Sequence, residues 1–193
     1  MNEFKSMLTE FFSLTDHAKK YKIEEQLWSK YGVHGYIMIT DMSGFSLVTQ
    51  RYGIVYYLAM IEKMRAVVEP IIKAHSGELI KFVADDVFAC FDSAQDVIDC
   101  ALEINSTLDQ INSQTPTQWD ICVSIGIDYG RFLRTEDGDI FNCASKFGED
   151  IAQKGEIIIS KKAFANLDHT SQYNAEFVCF KISGISLEAY TIK

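Results

Sequence analysis

The chain of 193 residues is 48% hydrophobic and contains only two prolines, which is typical of a globular protein with a full core and excludes a disordered chain. Its formal net charge of −9 argues against a nucleic-acid binder, because phosphate backbones require basic patches, but it permits a nucleotide bound through metal ions. The sequence shows neither a signal peptide nor an apolar run approaching the roughly 20 residues of a membrane helix, so we expect a cytoplasmic protein without a membrane partner.

The N-terminal stretch carries apolar side chains at helical spacing, followed by charged residues: Phe4, Met7, Leu8, Phe11 and Phe12. This pattern predicts two short amphipathic helices within residues 1–30. They could cap the domain, pair with a second subunit or contact a regulator, and the sequence does not choose among these roles. Since no linker, repeat or low-complexity tract follows, we predict a helical extension over residues 1–32 and one domain over residues 33–193.

From Tyr36 onward, strand and helix patterns alternate. The predicted elements are a strand over 36–40, one long helix from Phe45 to a stop at His75–Gly77, strands over 78–83 and 87–91, a helix over 93–112 with Ser93 as N-cap, and a strand over 119–130. This order is β-α-β-β-α-β, the arrangement of ferredoxin-like domains. The fold class is therefore predicted as α+β, with a ferredoxin-like βαββαβ core.

Additional C-terminal elements follow this core. The patterns predict a helix over 139–155 ending at Gly155, a strand over 156–160, a short helix near 161–167, and closing strands over 176–182 and 187–192.

The first and third strands of such a core lie side by side and antiparallel. Asp41 ends the first strand, and Asp85-Asp86 precede the third within the sequence "KFVADDVFACF". We therefore expect their carboxylates to converge at one edge of the sheet, where hard cations such as Mg²⁺ or Mn²⁺ prefer oxygen ligands. The alternative is a merely acidic hairpin turn beside a capped helix.

A small turn, "MSGFS", follows Asp41 directly. Gly44 lets the backbone approach a ligand closely, and the N–H groups of residues 42–46 at a helix start can cradle a phosphate. Together with the carboxylates, this turn favours a metal–triphosphate site.

Four motifs in order resemble one family. "ITDMSGFS", "KFVADDVFACF", "VSIGIDYG" and "GDIFNCASKFGEDIAQKGEIIIS" are similar to the catalytic domain of class III nucleotidyl cyclases, particularly bacterial members. The resemblance runs from about Tyr36 to Tyr190. It implies conversion of a nucleoside triphosphate to its 3′,5′-cyclic monophosphate, with two Mg²⁺ or Mn²⁺ ions in each site.

The resemblance also implies roles for single residues. Asp41, Asp85 and the Met42 carbonyl would hold the metal ions, and Phe45 and Ser46 would lie against the phosphates. Further along the chain, the implied roles are base reading by Lys81 and Thr135, ribose positioning by Asn142 and transition-state stabilisation by Lys146. In this family the metal-binding and base-reading residues of one site come from two subunits, so the resemblance implies a head-to-tail homodimer with composite sites.

Three features depart from the family pattern. Ala84 stands in place of a glycine and is expected to require a negative φ, so the turn must differ or tolerate it. Lys146 in place of arginine loses the bidentate fork that suits phosphate. The segment Gly130 to Thr135 is shorter than the glycine-rich hairpin of many relatives. The neighbouring Asp86 is left without a role, and the pair Glu149-Asp150 is interpreted as a local salt bridge or cap.

These departures leave open which nucleotide base the protein recognises. Lys81 with Thr135 is compatible with adenine, and we favour ATP, but the pair excludes neither guanine nor a pyrimidine. Bacterial relatives in antiphage systems make cyclic UMP or cyclic CMP, which is one alternative function. A second alternative is a degenerate cyclase domain that binds nucleotide or dimerises without turnover.

Overall fold

The computed structural model describes residues 2–135, 140–141, 144, 146–168, 170–182 and 184–193. The helices are α1 (Glu3–Ser13), α2 (His17–Tyr31), α3 (Phe45–Tyr52), α4 (Ile54–Ala74), α5 (Ala94–Asn112) and α6 (Lys161–Phe164). The strands are β1 (Gly32–Met42), β2 (Glu78–Val83), β3 (Asp86–Phe91), β4 (Val123–Arg134), β5 (Ile140–Phe141), β6 (Ile157–Ser160), β7 (Ala175–Ile182) and β8 (Ile185–Ile192). Short 3₁₀ turns cover Thr117–Trp119 and Thr170–Gln172, and a π-helical turn covers Lys146–Ile151.

The strands form one sheet in the order β2-β3-β1-β4-β6-β8-β7, with β5 paired to β4. β1 and β3 are adjacent and antiparallel, with Tyr36 opposite Phe91 and Thr40 opposite Val87. β2 continues antiparallel beyond β3. The predicted α+β fold with a βαββαβ core and additional C-terminal strands is therefore confirmed.

The chain divides into two compact units, Met1–His34 with Arg131–Asn142, and Gly35–Gly130 with Cys143–Lys193. In the first unit, α1 and α2 begin at the side-chain caps of Asn2 and Asp16. Their apolar faces form a small core of Phe4, Ile23, Leu27 and Tyr31. The two predicted N-terminal helices are thus confirmed. No helix among the described ranges is long and apolar enough to cross a membrane.

The second unit has the larger core, formed where α4 and α5 pack on one face of the sheet. Its fully buried side chains include Met38, Met64, Val68, Ile72, Ile98, Ile104 and Ile125. Side chains alternate between the faces of a strand, so Asp86 and Phe88 lie on the face opposite the buried Val87 and Ala89. Asp41 lies on the same opposite face, because Met38 and Met42 of β1 join the core.

The prediction of one long helix was wrong at Gly53. The chain breaks there with φ +91°, and the break separates α3 from α4. Apolar residues continue at helical spacing across it, and several of them remain exposed, including Leu47, Ile54, Val55 and Leu58. Periodicity alone therefore could not show the break.

The prediction of a helix over 139–155 was also wrong in its extent. Ile140–Phe141 pair with Leu133–Arg134 as a strand, and among the described residues that follow, Ala144 and Lys146–Ile151 are helical. This turn lies close against the sheet, since a Cβ on Gly148 would come within 2.7 Å of the Ile39 carbonyl oxygen. Glycine at this position permits the close approach.

Candidate functional site

Four carboxylates are brought together at the end of β1, and we call them the acidic cluster: Asp41, Asp85, Asp86 and Glu149. Burial raises the pKa of Asp41 to about 6, and the charges of Asp85 and Glu149 add to the effect. Burial also raises the pKa of Asp86 to about 7, with further contributions from Asp41, Glu149 and Asp85. Both shifts have burial as their main cause, and the neighbouring carboxylates add to it.

Glu149 was not expected from the sequence to join the acidic cluster, whereas Asp86 was expected at this edge but without a function. Asp86 was left without a role, and Glu149 was interpreted as a local ion pair or cap. The Lys146–Ile151 turn brings Glu149 near Asp41 because Gly148 packs against β1. No spacing in the sequence signals this approach, since it depends on a close backbone contact between distant segments.

A buried tyrosine of α4 joins two segments that carry predicted metal ligands. Tyr57 is 1% exposed, and its hydroxyl lies 2.8 Å from Asp85 Oδ2 and 3.0 Å from the Met42 carbonyl oxygen. Its ring meets the Phe45 ring edge to face, with centroids 5.0 Å apart. Burial, together with the hydrogen bond and charge of Asp85, raises the pKa of Tyr57, so its hydroxyl stays protonated as a donor. No sequence signal distinguishes this residue, because its position fits an ordinary core residue of an amphipathic helix.

The turn between β2 and β3 contains only Ala84 and Asp85, since Asp86 already pairs with Val83. Ala84 has φ +52°, so the expectation that alanine requires a negative φ here was wrong. The turn tolerates the left-handed conformation, which costs a non-glycine residue about 1–2 kcal/mol. The guanidinium of Arg65, on α4, donates a hydrogen bond to the Ala84 carbonyl and thereby helps to hold this turn.

The start of α3 leaves backbone donors near the end of β1. Gly44 adopts φ +101° at the N-cap position and supplies no side-chain cap. Phe45 is half exposed and Ser46 is exposed. The expectation that the N–H groups of residues 42–46 can cradle a phosphate needs correction at Ser43, whose N–H donates to the Cys122 carbonyl at 2.9 Å. A helix start without a side-chain cap can accept an anion at its remaining N–H groups.

The remaining predicted site residues lie in other places. Lys81, on β2, is directly opposite Phe88, and its ammonium lies 5.4 Å from the centre of the Phe88 ring, on the sheet face that carries Asp86. Thr135 is 8% exposed and belongs to the other compact unit, where it lines an open cleft of about 400 Å³ with Lys30 and Arg134. Asn142 lies outside the described residues, as does the side chain of Lys146.

The donor chemistry of the acidic cluster fits a hard divalent cation. Among the residues that the structure describes, no group of three or more His, Cys, Asp or Glu side chains forms a metal site unaided. Asp41 and Asp85 offer carboxylate oxygens. The Met42 carbonyl oxygen lies close to Asp85, because both groups are within hydrogen-bonding distance of the Tyr57 hydroxyl. Mg²⁺ is usually held by one or two carboxylates together with water and substrate phosphates. The arrangement therefore suits a cation whose remaining ligands are water or phosphate oxygens.

Comparison with curated proteins gives a relative in Rhizobium meliloti (strain 1021). The chain is 27% identical over 128 residues to the protein named "Putative adenylate cyclase 3", over 64% of this chain and 22% of the relative. The chain therefore matches less than a quarter of that relative's length. No family model matches the chain.

Solved structures resemble the chain over most of its length. An adenylate/guanylate cyclase/hydrolase from Silicibacter pomeroyi superposes with a TM-score of 0.69 at 25% identity, covering 83% of this chain and 96% of the other. The guanylate cyclase domain of RhGC from Catenaria anguillulae, solved with GTP, superposes with a TM-score of 0.72 at 15% identity, covering 84% and 97%. The resemblance inferred from the four motifs is thus confirmed, and the chain has the fold of the class III nucleotidyl cyclase catalytic domain.

Proposed function

We propose that this protein is a nucleotidyl cyclase that converts a nucleoside triphosphate, with ATP favoured, into its 3′,5′-cyclic monophosphate and pyrophosphate. One observation carries the proposal. In a cyclase fold, the carboxylates of Asp41 and Asp85 meet beside the uncapped start of α3. Negative charge concentrated next to anion-accepting N–H groups suits metal ions and a triphosphate bound together. The matching names of the relatives support the same reaction class.

Asp41, Asp85 and the Met42 carbonyl would hold two Mg²⁺ or Mn²⁺ ions. When bound, such ions lower the pKa of the ribose 3′-hydroxyl and neutralise the triphosphate and its leaving group. Burial and the charges of Asp85 and Glu149 raise the pKa of Asp41, and a cation bound to this carboxylate would oppose both effects. Metal binding therefore relieves the repulsion within the acidic cluster.

The other residues position the substrate. The α3 N–H groups, with Phe45 and Ser46, would contact the phosphates, and the exposure of both residues leaves them accessible. Lys81 and Thr135 would read the base. Asn142 would orient the ribose and Lys146 would stabilise the charge that develops on the phosphates. Positioning and charge stabilisation of this kind provide most of what such a displacement requires.

The experiment that tests the proposal is product analysis of the purified protein. ATP, GTP, CTP and UTP are incubated separately with Mn²⁺ or Mg²⁺, and mass spectrometry identifies the products. We expect a 3′,5′-cyclic monophosphate, in largest amount from ATP. A cyclic product mainly from UTP or CTP would indicate the pyrimidine cyclase alternative. No cyclic product from any of the four would indicate a degenerate cyclase domain.

We further propose a head-to-tail homodimer in which each site combines Asp41 and Asp85 of one subunit with Lys81, Thr135 and Asn142 of the other. Mixing Asp41→Ala and Asn142→Ala subunits tests this arrangement. Each variant alone is expected to be inactive. The mixture is expected to recover activity, up to roughly a quarter of the wild-type value for random pairing of subunits. Failure of the mixture to recover any activity, with dimers present, would argue against shared sites.

A further inference from the structure

Tyr57 connects the two segments that carry the proposed metal ligands. Its hydroxyl contacts Asp85 Oδ2 in the β2–β3 turn and the Met42 carbonyl oxygen at the end of β1. The residue lies in the first turn of α4, directly after the break at Gly53, and its ring packs against Phe45 at the start of α3. One side chain thus touches three segments that meet at the acidic cluster.

The contact has a specific chemical character. A tyrosine hydroxyl carries one proton, whereas Asp85 and Met42 both present acceptor oxygens to it. The hydroxyl lies within hydrogen-bonding distance of both acceptors, so its single proton can be donated to one of them at a time. A hydrogen bond to Asp85 Oδ2, the nearer acceptor, restrains the rotation of that carboxylate and leaves its second oxygen available for another partner.

We propose that Tyr57 is a positioning residue, which holds the Asp85 carboxylate and the Met42 carbonyl in the arrangement that binds divalent metal. The inference rests on the proposed function, since it assigns a role to Tyr57 toward the metal site of that function. Groups that hydrogen-bond to a metal ligand orient it, and their removal typically weakens metal affinity 10–100-fold. Tyr57 acts through Asp85 and Met42 and does not touch the substrate.

The neighbouring Tyr56 provides a matched comparison. Its ring stacks on Trp119 with centroids 3.6 Å apart, and its hydroxyl is buried without a hydrogen-bond partner among the described residues. Tyr56→Phe therefore removes the same oxygen atom from the same helix, away from the acidic cluster. Each Tyr→Phe variant keeps its ring, so we expect both proteins to fold.

The experiment measures Mn²⁺ binding to the protein without nucleotide, by the electron paramagnetic resonance signal of free Mn²⁺. We expect Tyr57→Phe to weaken the affinity roughly tenfold and Tyr56→Phe to leave it unchanged. In the Asp85→Asn background the further loss caused by Tyr57→Phe is expected to shrink, because the ligand that Tyr57 orients has already been impaired. Equal affinities of wild type and Tyr57→Phe, or an equal loss in Tyr56→Phe, would overturn the inference.

Turnover provides a second measurement. Tyr57→Phe is expected to raise the Mn²⁺ concentration that gives half-maximal activity while leaving the rate at saturating Mn²⁺ within about threefold of wild type. A purely structural role would lower the saturating rate without shifting the metal requirement. If the wild type binds Mn²⁺ but makes no cyclic nucleotide, the proposed function fails, and the binding comparison still decides the role of Tyr57. If the wild type binds no Mn²⁺, the inference about Tyr57 is wrong.

Discussion

The core beneath the sheet and the acidic cluster at its edge follow opposite physical rules. In the core, Met64, Ile72 and Ile98 are completely buried and apolar, so each contributes favourably to folding. At the edge, burial and mutual repulsion raise the pKa of Asp41 and Asp86, and Ala84 is held in a left-handed conformation. The acidic cluster therefore lowers the free energy of unfolding, which the apolar core raises.

This difference is informative about function. Unpaired charge and unusual backbone conformations persist in proteins mainly where a site requires them. Here Asp86, whose pKa is raised, and Ala84, whose φ is positive, flank Asp85. The start of α3 nearby has no side-chain cap. The contrast predicts that replacing Asp41 at the edge will remove activity and increase stability, whereas substitutions in the core will reduce stability first.

The largest expected effect is that of Asp41→Asn on cyclase activity. Loss of a carboxylate that we propose to bind metal should reduce the rate at least about a hundredfold, since metal ions provide several kcal/mol of charge stabilisation. The same variant should raise the melting temperature of the metal-free protein at pH 7.5, because it removes a repelled charge. Cyclic nucleotide formation and thermal unfolding in EDTA measure the two effects.

The exposed Asp109 of α5 provides the control for this prediction. Asp109→Asn makes the same chemical change away from the cluster, and we expect it to preserve activity. An Asp41→Asn protein with wild-type activity would contradict the assignment of Asp41.

The second effect concerns the core. Ile98→Ala deletes part of a side chain that is completely buried between α5 and the sheet. Such truncations lower the free energy of unfolding by about 2–5 kcal/mol. Urea unfolding in EDTA measures the loss, and Mn²⁺ affinity at low temperature should remain that of the wild type. A core variant that lost Mn²⁺ binding while still folded would show that the two regions are not separable.

The sequence could predict those features of the core and of the acidic cluster that depend on hydrophobic periodicity and on the order of strands and helices. Alternating apolar runs predicted the sequence of strands and helices, and known topology then placed Asp41 beside the β2–β3 turn. The four motifs led to the family because each keeps its local spacing. These features are local in sequence or follow from strand order, so they do not require side-chain packing to be known.

The rest depends on contacts that no spacing encodes. Tyr57 occupies an apolar position of an amphipathic helix, where a tyrosine usually indicates only core packing. Glu149 approaches Asp41 through the close contact of Gly148 with β1. The break at Gly53 interrupts a pattern whose apolar residues continue without change, and the φ of Ala84 is imposed by a two-residue turn that brings β2 and β3 together.

The third effect is a pH dependence at Asp86. Its pKa is raised to about 7 in the folded protein from an ordinary value of 3.8, so the folded state keeps a proton that the unfolded chain has already lost. Stability contributed by this group is therefore lost as the pH rises from about 4 to about 7. The stabilising effect of Asp86→Asn should grow across this range and then remain constant.

Thermal unfolding of the metal-free proteins between pH 4 and pH 8 tests this prediction. Added Mn²⁺ should reduce the difference between wild type and Asp86→Asn at pH 8, because the cation compensates the charge of the cluster. A difference that does not change with pH would show that neither burial nor the other carboxylates raise the pKa of Asp86 in the folded protein.

The smallest expected effect is that of Ala84→Gly. Glycine adopts a positive φ without the steric cost of a Cβ, but it also increases the entropy of the unfolded chain. Because the left-handed conformation costs alanine about 1–2 kcal/mol, the net result should be stabilisation by up to about 1 kcal/mol. The matched control is Ala59→Gly at an exposed position within α4, where the same substitution should destabilise by about 1 kcal/mol. Urea unfolding of both variants compares them directly, and a destabilised Ala84→Gly protein would mean that the turn does not strain the chain. If Ala84→Gly stabilises the protein and leaves cyclase activity unchanged, the strained conformation of Ala84 is not needed for catalysis. The carboxylates of the acidic cluster would then be the feature of this edge that activity requires.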